Sequence, residues 1–159
     1  MNKRDHVLNA LLLSIGLGYV FEPAGDVETF RLIAELSVPI VLGALVPDID
    51  TAFGRHRKTL HNLPVLALAL AYPYYFGNLE WVWIGVATHY LLDMLGSRRG
   101  VALFYPVWAR EFGLPGGVPV SSRYATPVTL VVTAVELALA VLLVYDLVPY
   151  LVLELLAAI

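Results

Sequence analysis

The run Trp81-Val82-Trp83-Ile84-Gly85-Val86-Ala87-Thr88-His89-Tyr90-Leu91-Leu92-Asp93-Met94-Leu95 is apolar almost throughout, yet it carries two ionisable groups four residues apart. At about 100° per residue, His89 and Asp93 differ by roughly 40° around a helix axis and therefore face the same way. Tyr90, Leu91, Leu92 and Met94 surround them with hydrophobic surface, which leaves the interior of a helix bundle as the place where both are satisfied. Ionisable side chains at membrane depth are costly, and a pair of them marks a functional site by default.

The rest of the chain has the same character. Of its 159 residues 59% are hydrophobic and only 14% charged, and the mean hydropathy of +0.76 lies outside the range of an ordinary soluble domain. There is no cysteine, which excludes a disulfide framework, a thiolate metal site and a thiol nucleophile. The net charge of -3 is small and implies no nucleic-acid partner; its distribution matters more than its size.

Four further apolar runs flank the first: Val7 to Phe21, Leu32 to Val46 ending at Pro47, Leu63 to Phe76, and Pro127 to Leu147. The first, preceded by Lys3 and Arg4, begins as a signal peptide does, but no small-x-small cleavage site follows and more apolar runs do. Several runs fall short of the roughly 20 residues of a full crossing. Pro149 to Ile159 is shorter still, and is expected to extend the fifth helix or to lie at the interface. No internal repeat or domain linker appears, and the long polar connection Gly96 to Thr126 carries turn signals at Leu114-Pro115-Gly116-Gly117. The expected fold is all-α: a small polytopic helix bundle of about five transmembrane helices, one integral membrane domain over residues 1–159. Gly16 and Gly18 are expected at tight helix packing.

Five crossings place the N-terminus and the loops 48–62 and 96–126 on one side. Lys3, Arg4, Arg55, Arg57, Lys58, Arg98, Arg99, Arg110 and Arg123 all fall there, with Arg31 alone opposite. By the positive-inside rule that side is cytoplasmic, in a multi-pass protein of the plasma or inner membrane with the lipid bilayer as its partner. Trp81, Trp83, Tyr74 and Tyr75 mark the outer boundary.

The same threading gathers His6, Asp48, Asp50, His56, His61, His89 and Asp93 at the cytoplasmic face. Taken singly, several have ordinary readings. His6 suits an interfacial position, Pro47-Asp48-Ile49-Asp50-Thr51 suits a helix stop and cap, and Gly54-Arg55-His56-Arg57-Lys58 suits a topology-setting loop. Glu136, midway along the fifth run, reads equally as a functional carboxylate and as a buried, protonated hydrogen-bonding group.

Four segments together carry a resemblance: Val46-Pro47-Asp48-Ile49-Asp50, His56-Arg57-Lys58-Thr59-Leu60-His61-Asn62, His89-Tyr90-Leu91-Leu92-Asp93 and Gly100-Val101-Ala102-Leu103-Phe104-Tyr105-Pro106. Their order and spacing resemble the membrane-bound, metal-dependent hydrolases of the YdjM/YbcI type. The resemblance covers the chain from His6 to about Pro106. It implies an inner-membrane helical protein with metal-dependent hydrolase activity, its histidines and aspartates being the metal ligands. One departure is visible, because the family's loop carries a threonine directly before the second histidine and a serine after it. Here Thr59 stands one place early and Asn62 replaces the serine.

Imidazole and carboxylate donors without thiolate suit Zn²⁺, Mn²⁺ or Fe²⁺, with zinc or manganese preferred. Seven donors exceed one four-coordinate shell, so one or two ions are expected, with some residues in supporting roles. The expected metal ligands are His6, Asp48, His61, His89 and Asp93. Asp50, as general base, and His56 are the expected catalytic groups. Arg57, Arg98 and Arg99 are candidate phosphate anchors, although each serves equally well as a topology determinant. The expected function is hydrolysis of a phosphoester, of a lipid or of a small molecule at the membrane surface. The alternatives are cation, proton or metal transport through the same His/Asp cluster, and a structural protein without metal.

Overall fold

The computed structural model describes residues 2–147, 149 and 150. Beyond Tyr150, the expected terminal piece Pro149 to Ile159 lies outside the described residues. Among these residues five α-helices form: α1 (Lys3–Phe21), α2 (Val27–Leu45), α3 (Leu63–Phe76), α4 (Val82–Gly96) and α5 (Ala125–Val144). A 3₁₀ helix, Pro47–Ala52, follows α2. Among the described residues no strand forms, and the long connection before α5 contains only the isolated bridges Ser97–Val118 and Val101–Phe112.

Local chemistry explains where the helices start and stop. The Asn2 side chain accepts from Asp5 N at 2.9 Å while Asp5 reaches back to Asn2 N, a capping box that starts α1 four residues before its apolar run. Asp26 Oδ1 accepts from Glu28 N and Thr29 N, so α2 also starts earlier than its hydrophobic pattern. Asn62 Oδ1 accepts from Val65 N and caps α3. Asparagine and serine cap helices about equally well, so Asn62 does here what the serine of the loops it resembles could do. At the far end of α4, the last carbonyls lack partners within the helix; Met94 O and Gly96 O accept from Leu114 N and Val118 N, which folds the 96–126 connection back over the helix end.

The packing follows the side chains. α2 lies against both α1 and α4, α5 lies along α1, and α3 packs mainly on α4 at the edge of the bundle. At the α2–α4 crossing two glycines face each other. A Cβ on Gly85 stands 2.0 Å from Ile40 O, and one on Gly43 stands 2.0 Å from Val82 O, so the backbones meet there directly. Gly16 and Gly18 also pack closely, against the side chains of Leu137 and Ile33.

Burial is inverted relative to a soluble domain. Among the described residues 16 polar or charged side chains are buried beside 14 hydrophobic ones, while Phe30, Val38, Leu68, Val131, Leu139 and Leu143 lie exposed. A surface of this kind belongs in an apolar solvent. Among the described residues two segments are long and apolar enough to cross a membrane, Val27–Ala52 and Ala125–Val144. α3 and α4, of 14 and 15 residues, extend only about 21 and 22 Å against a hydrocarbon thickness of about 30 Å.

Candidate metal centre

The cluster is assembled at the end of the bundle where α1 begins and α2 and α4 finish. His6 lies in the first turn of α1, and Asp48 and Asp50 lie on the 3₁₀ helix that Pro47 opens. His56 and His61 lie on the loop entering α3, and His89 and Asp93 are on the closing turns of α4. His6, Asp48, Asp50, His61, His89 and Asp93 are all buried, whereas His56 leaves 37% of its side chain exposed.

Two hydrogen bonds fix the histidines at the centre. His89 Nδ1 lies 2.6 Å from Ala44 O, a group that only accepts, so Nδ1 carries the proton and Nε2 presents a lone pair. His61 Nδ1 lies 3.0 Å from Asp50 Oδ2 and is assigned the same tautomer, its Nε2 also free. Those two Nε2 atoms then face each other at 3.1 Å. Two lone pairs do not sit that close without a cation or a proton between them. Two nitrogens bound tetrahedrally to one Zn²⁺ stand about 3.3–3.4 Å apart, close to what is seen.

The remaining donors surround this pair. Asp93 Oδ2 lies 3.7 Å from His61 Nε2 and 3.8 Å from His89 Nε2, and Asp48 Oδ1 lies 3.8 Å from His89 Nε2. His6 stacks on His89 with ring centroids 3.6 Å apart and approaches Asp93 Oδ1 at 3.5 Å. Neither ring nitrogen of His6 makes a hydrogen bond among the described residues, although the ring is buried. A buried imidazole of that kind is costly unless something else takes its lone pair, and a metal ion does so. Among the described residues two groups of three could each hold an ion, His6 with His89 and Asp93, and Asp48 with His56 and His61; the ligand atoms within each lie within 4.8 Å of one another.

Asp50, expected as a general base, has both carboxylate oxygens engaged. Its Oδ1 bonds His56 Nδ1 at 2.9 Å, and its Oδ2 accepts from His61 Nδ1 and from Leu60 N. It stands behind the imidazoles and orients them, the usual second partner of a metal-binding histidine. Arg57 is likewise turned inward rather than toward a ligand. It is buried, and its guanidinium donates to Ser97 Oγ at 2.7 Å, to the carbonyls of Arg99 and Gly100, and to Asp93 Oδ1 at 3.4 Å. Arg99 is bound bidentately by Glu111, which raises its pKa and lowers that of Glu111. Arg98 is exposed and makes no ion pair among the described residues.

Several contributors carry no sequence signal of their own. Tyr90 reads as one more apolar residue, yet its hydroxyl donates to Leu60 O at 2.6 Å and accepts from Asn62 N, which pins the His61 loop to α4. Asn9, Thr88 and Thr133 form a second polar layer with Glu136 one turn deeper.

Burial pushes the pKa of His61 below its ordinary 6.5, with the charges of Asp50 and Asp93 opposing in part. The neutral ring, the form able to bind a metal, therefore persists below that pH. Proton and metal compete for the same Nε2, so metal affinity is expected to be level above pH 6.5. Below the lowered pKa it should fall by at least about tenfold per pH unit, a dependence that titrations at stepped pH would reveal.

Buried histidines and carboxylates converging in an all-helical chain with membrane-length apolar segments define a membrane protein with a candidate metal centre. A family model described as YdjM inner membrane protein matches residues 1–157. The chain belongs to that family. No curated protein and no solved structure matches it.

Proposed function

We propose that this chain is a multi-pass inner-membrane hydrolase whose His/Asp centre, at the cytoplasmic face, binds zinc or manganese and cleaves a phosphoester. The observation that carries the reading is the pair of Nε2 atoms of His61 and His89, 3.1 Å apart in a buried site with both Nδ1 protons committed elsewhere. The nine basic residues gathered by a five-crossing threading support the cytoplasmic orientation. The short helices α3 and α4 fit that threading if the bilayer thins locally or the helices sit beside the longer ones.

His6, Asp48, His61, His89 and Asp93 are the ligands, and they suit one or two ions held about the facing Nε2 atoms of His61 and His89. When bound, divalent ions supply Lewis acidity, activating water and stabilising charge on a phosphoryl group. The chain's own residues do the rest. Asp50 holds His56 through Nδ1, leaving Nε2 of this half-exposed ring to take up and return a proton. Arg57 holds Asp93 in place, and of the three candidate phosphate anchors exposed Arg98 is the one without an ion pair among the described residues.

Transport is less well supported, because among the described residues no ionisable side chain is buried beyond the Glu136 layer, and the buried hydroxyls there, Ser14 and Thr29, donate to the backbone carbonyls of Ala10 and Glu22. Beyond that layer Leu13, Leu17, Leu36 and Ile40 close the bundle with apolar side chains. Purified protein loaded with Zn²⁺ or Mn²⁺ is expected to release phosphate or alcohol from a lipid or small-molecule phosphoester, and His89→Ala to abolish the release. No release from any phosphoester tested, together with metal or proton flux in liposomes that His89→Ala removes, would decide for transport.

A further inference from the structure

Glu136 on α5 meets Asn9 of α1 and Thr88 of α4 in a layer between the metal centre and the apolar core. Asn9 Nδ2 lies 2.9 Å from Thr133 Oγ1 and 2.8 Å from Glu136 Oε2. Thr88 Oγ1 lies 2.6 Å from Asn9 Oδ1 and 2.5 Å from Glu136 Oε1. Thr133 spends its own proton on Thr129 O.

Counting protons decides the charge of Glu136. Thr88 has one hydroxyl proton and two oxygen neighbours, and the amide oxygen of Asn9 has none to give. If Thr88 donates to Asn9, the contact with Glu136 Oε1 needs a proton on the carboxyl. Turning the amide of Asn9 round does not remove the need, because its oxygen would then face Glu136 Oε2 at 2.8 Å. In either orientation one acceptor meets another unless Glu136 is the neutral acid.

The placement of this layer gives it a consequence. Asn9 is three residues from His6 on the same side of α1, and Thr88 directly precedes His89 on α4. The stacking of His6 on His89 at 3.6 Å therefore depends on the register that Asn9, Glu136 and Thr88 set between the helices. We propose that Glu136, as a protonated carboxyl, is a positioning residue: it clasps α1 to α4 through Asn9 and Thr88 and so delivers His6 to the metal centre. The link to metal binding rests on the function proposed above; the clasp itself does not.

The neutral acid offers one donor and one acceptor, which glutamine reproduces and leucine does not. Zinc affinity is expected to be retained in Glu136→Gln and to weaken about 10–100-fold in Glu136→Leu, the range seen when a partner behind a metal ligand is removed. His6→Ala should add little further loss in the Glu136→Leu background, since the same ligand has already been displaced. Equal loss in Glu136→Gln and Glu136→Leu, or full additivity with His6→Ala, would overturn the proposal.

A second measurement is independent of metal. The chain lacks cysteine, so spin labels can be attached uniquely at Leu11→Cys on α1 and Leu91→Cys on α4, both exposed. The label distance should match the parent in Glu136→Gln and shift or broaden in Glu136→Leu and in the nearly isosteric Thr88→Val. An unchanged distance in both disrupting variants would remove the clasp. Intact clasp behaviour in a chain that binds no zinc would refute the metal reading alone.

Discussion

Asp93→Ala is expected to empty the metal centre and to destabilise the protein by about 3–5 kcal/mol, the usual consequence of stranding one member of a buried ion pair. Asp93 lies within 3.4–3.8 Å of Arg57, His6, His61 and His89, so its loss removes a ligand and leaves the Arg57 guanidinium buried without its carboxylate. Unfolding in detergent would measure the stability, and metal titration the site. The two effects separate in the double variant Arg57→Met/Asp93→Ala. Removing the stranded charge should recover part of the stability and none of the metal affinity. Recovery of both would mean that Asp93 serves the fold and not the metal.

Gly85→Ala should be nearly as damaging, although it adds one methyl group. The new Cβ would stand 2.0 Å from Ile40 O, 2.6 Å from Ala44 N and 2.8 Å from Gly43 Cα, all backbone atoms that cannot rotate away. Relief requires α2 and α4 to separate, at a cost of about 1–3 kcal/mol or more. Separation also reaches the site, because Ala44 O is the acceptor that fixes the tautomer of His89. Zinc affinity should fall with stability in Gly85→Ala. In Gly116→Ala, where a Cβ meets nothing within 4 Å, both should stay unchanged.

The helices and most of the site could be read from the chain because hydrophobicity and charge are strong local signals. A His and an Asp four apart in an apolar run point inward for reasons present in that run alone, and α3 falls on the span its composition marks. What escaped needed two distant segments at once. Gly43 and Gly85 acquire meaning only when α2 crosses α4, and Asn9, Thr88 and Thr133 look like incidental polar residues until α5 brings Glu136 between them. Glu136 itself could be read either way from sequence, since a lone carboxylate in an apolar run does not reveal its neighbours. Arg57 and Asp50 show the opposite difficulty. Their residue types fit a phosphate anchor and a general base, but their hydrogen bonds run inward, to Asp93 and to His56 and His61. Crossing number is the least local property of all, because α3 and α4 fall short of a full span on length alone.

The most direct test is the metal content of the purified protein. Elemental analysis of detergent-solubilised chain, mildly extracted and then incubated with Zn²⁺ or Mn²⁺ and desalted, should find one or two transition-metal ions per chain. The variants His89→Ala and Asp93→Ala should hold none. A folded wild-type chain that retains no metal, or variants that retain as much as it does, would contradict the existence of the centre.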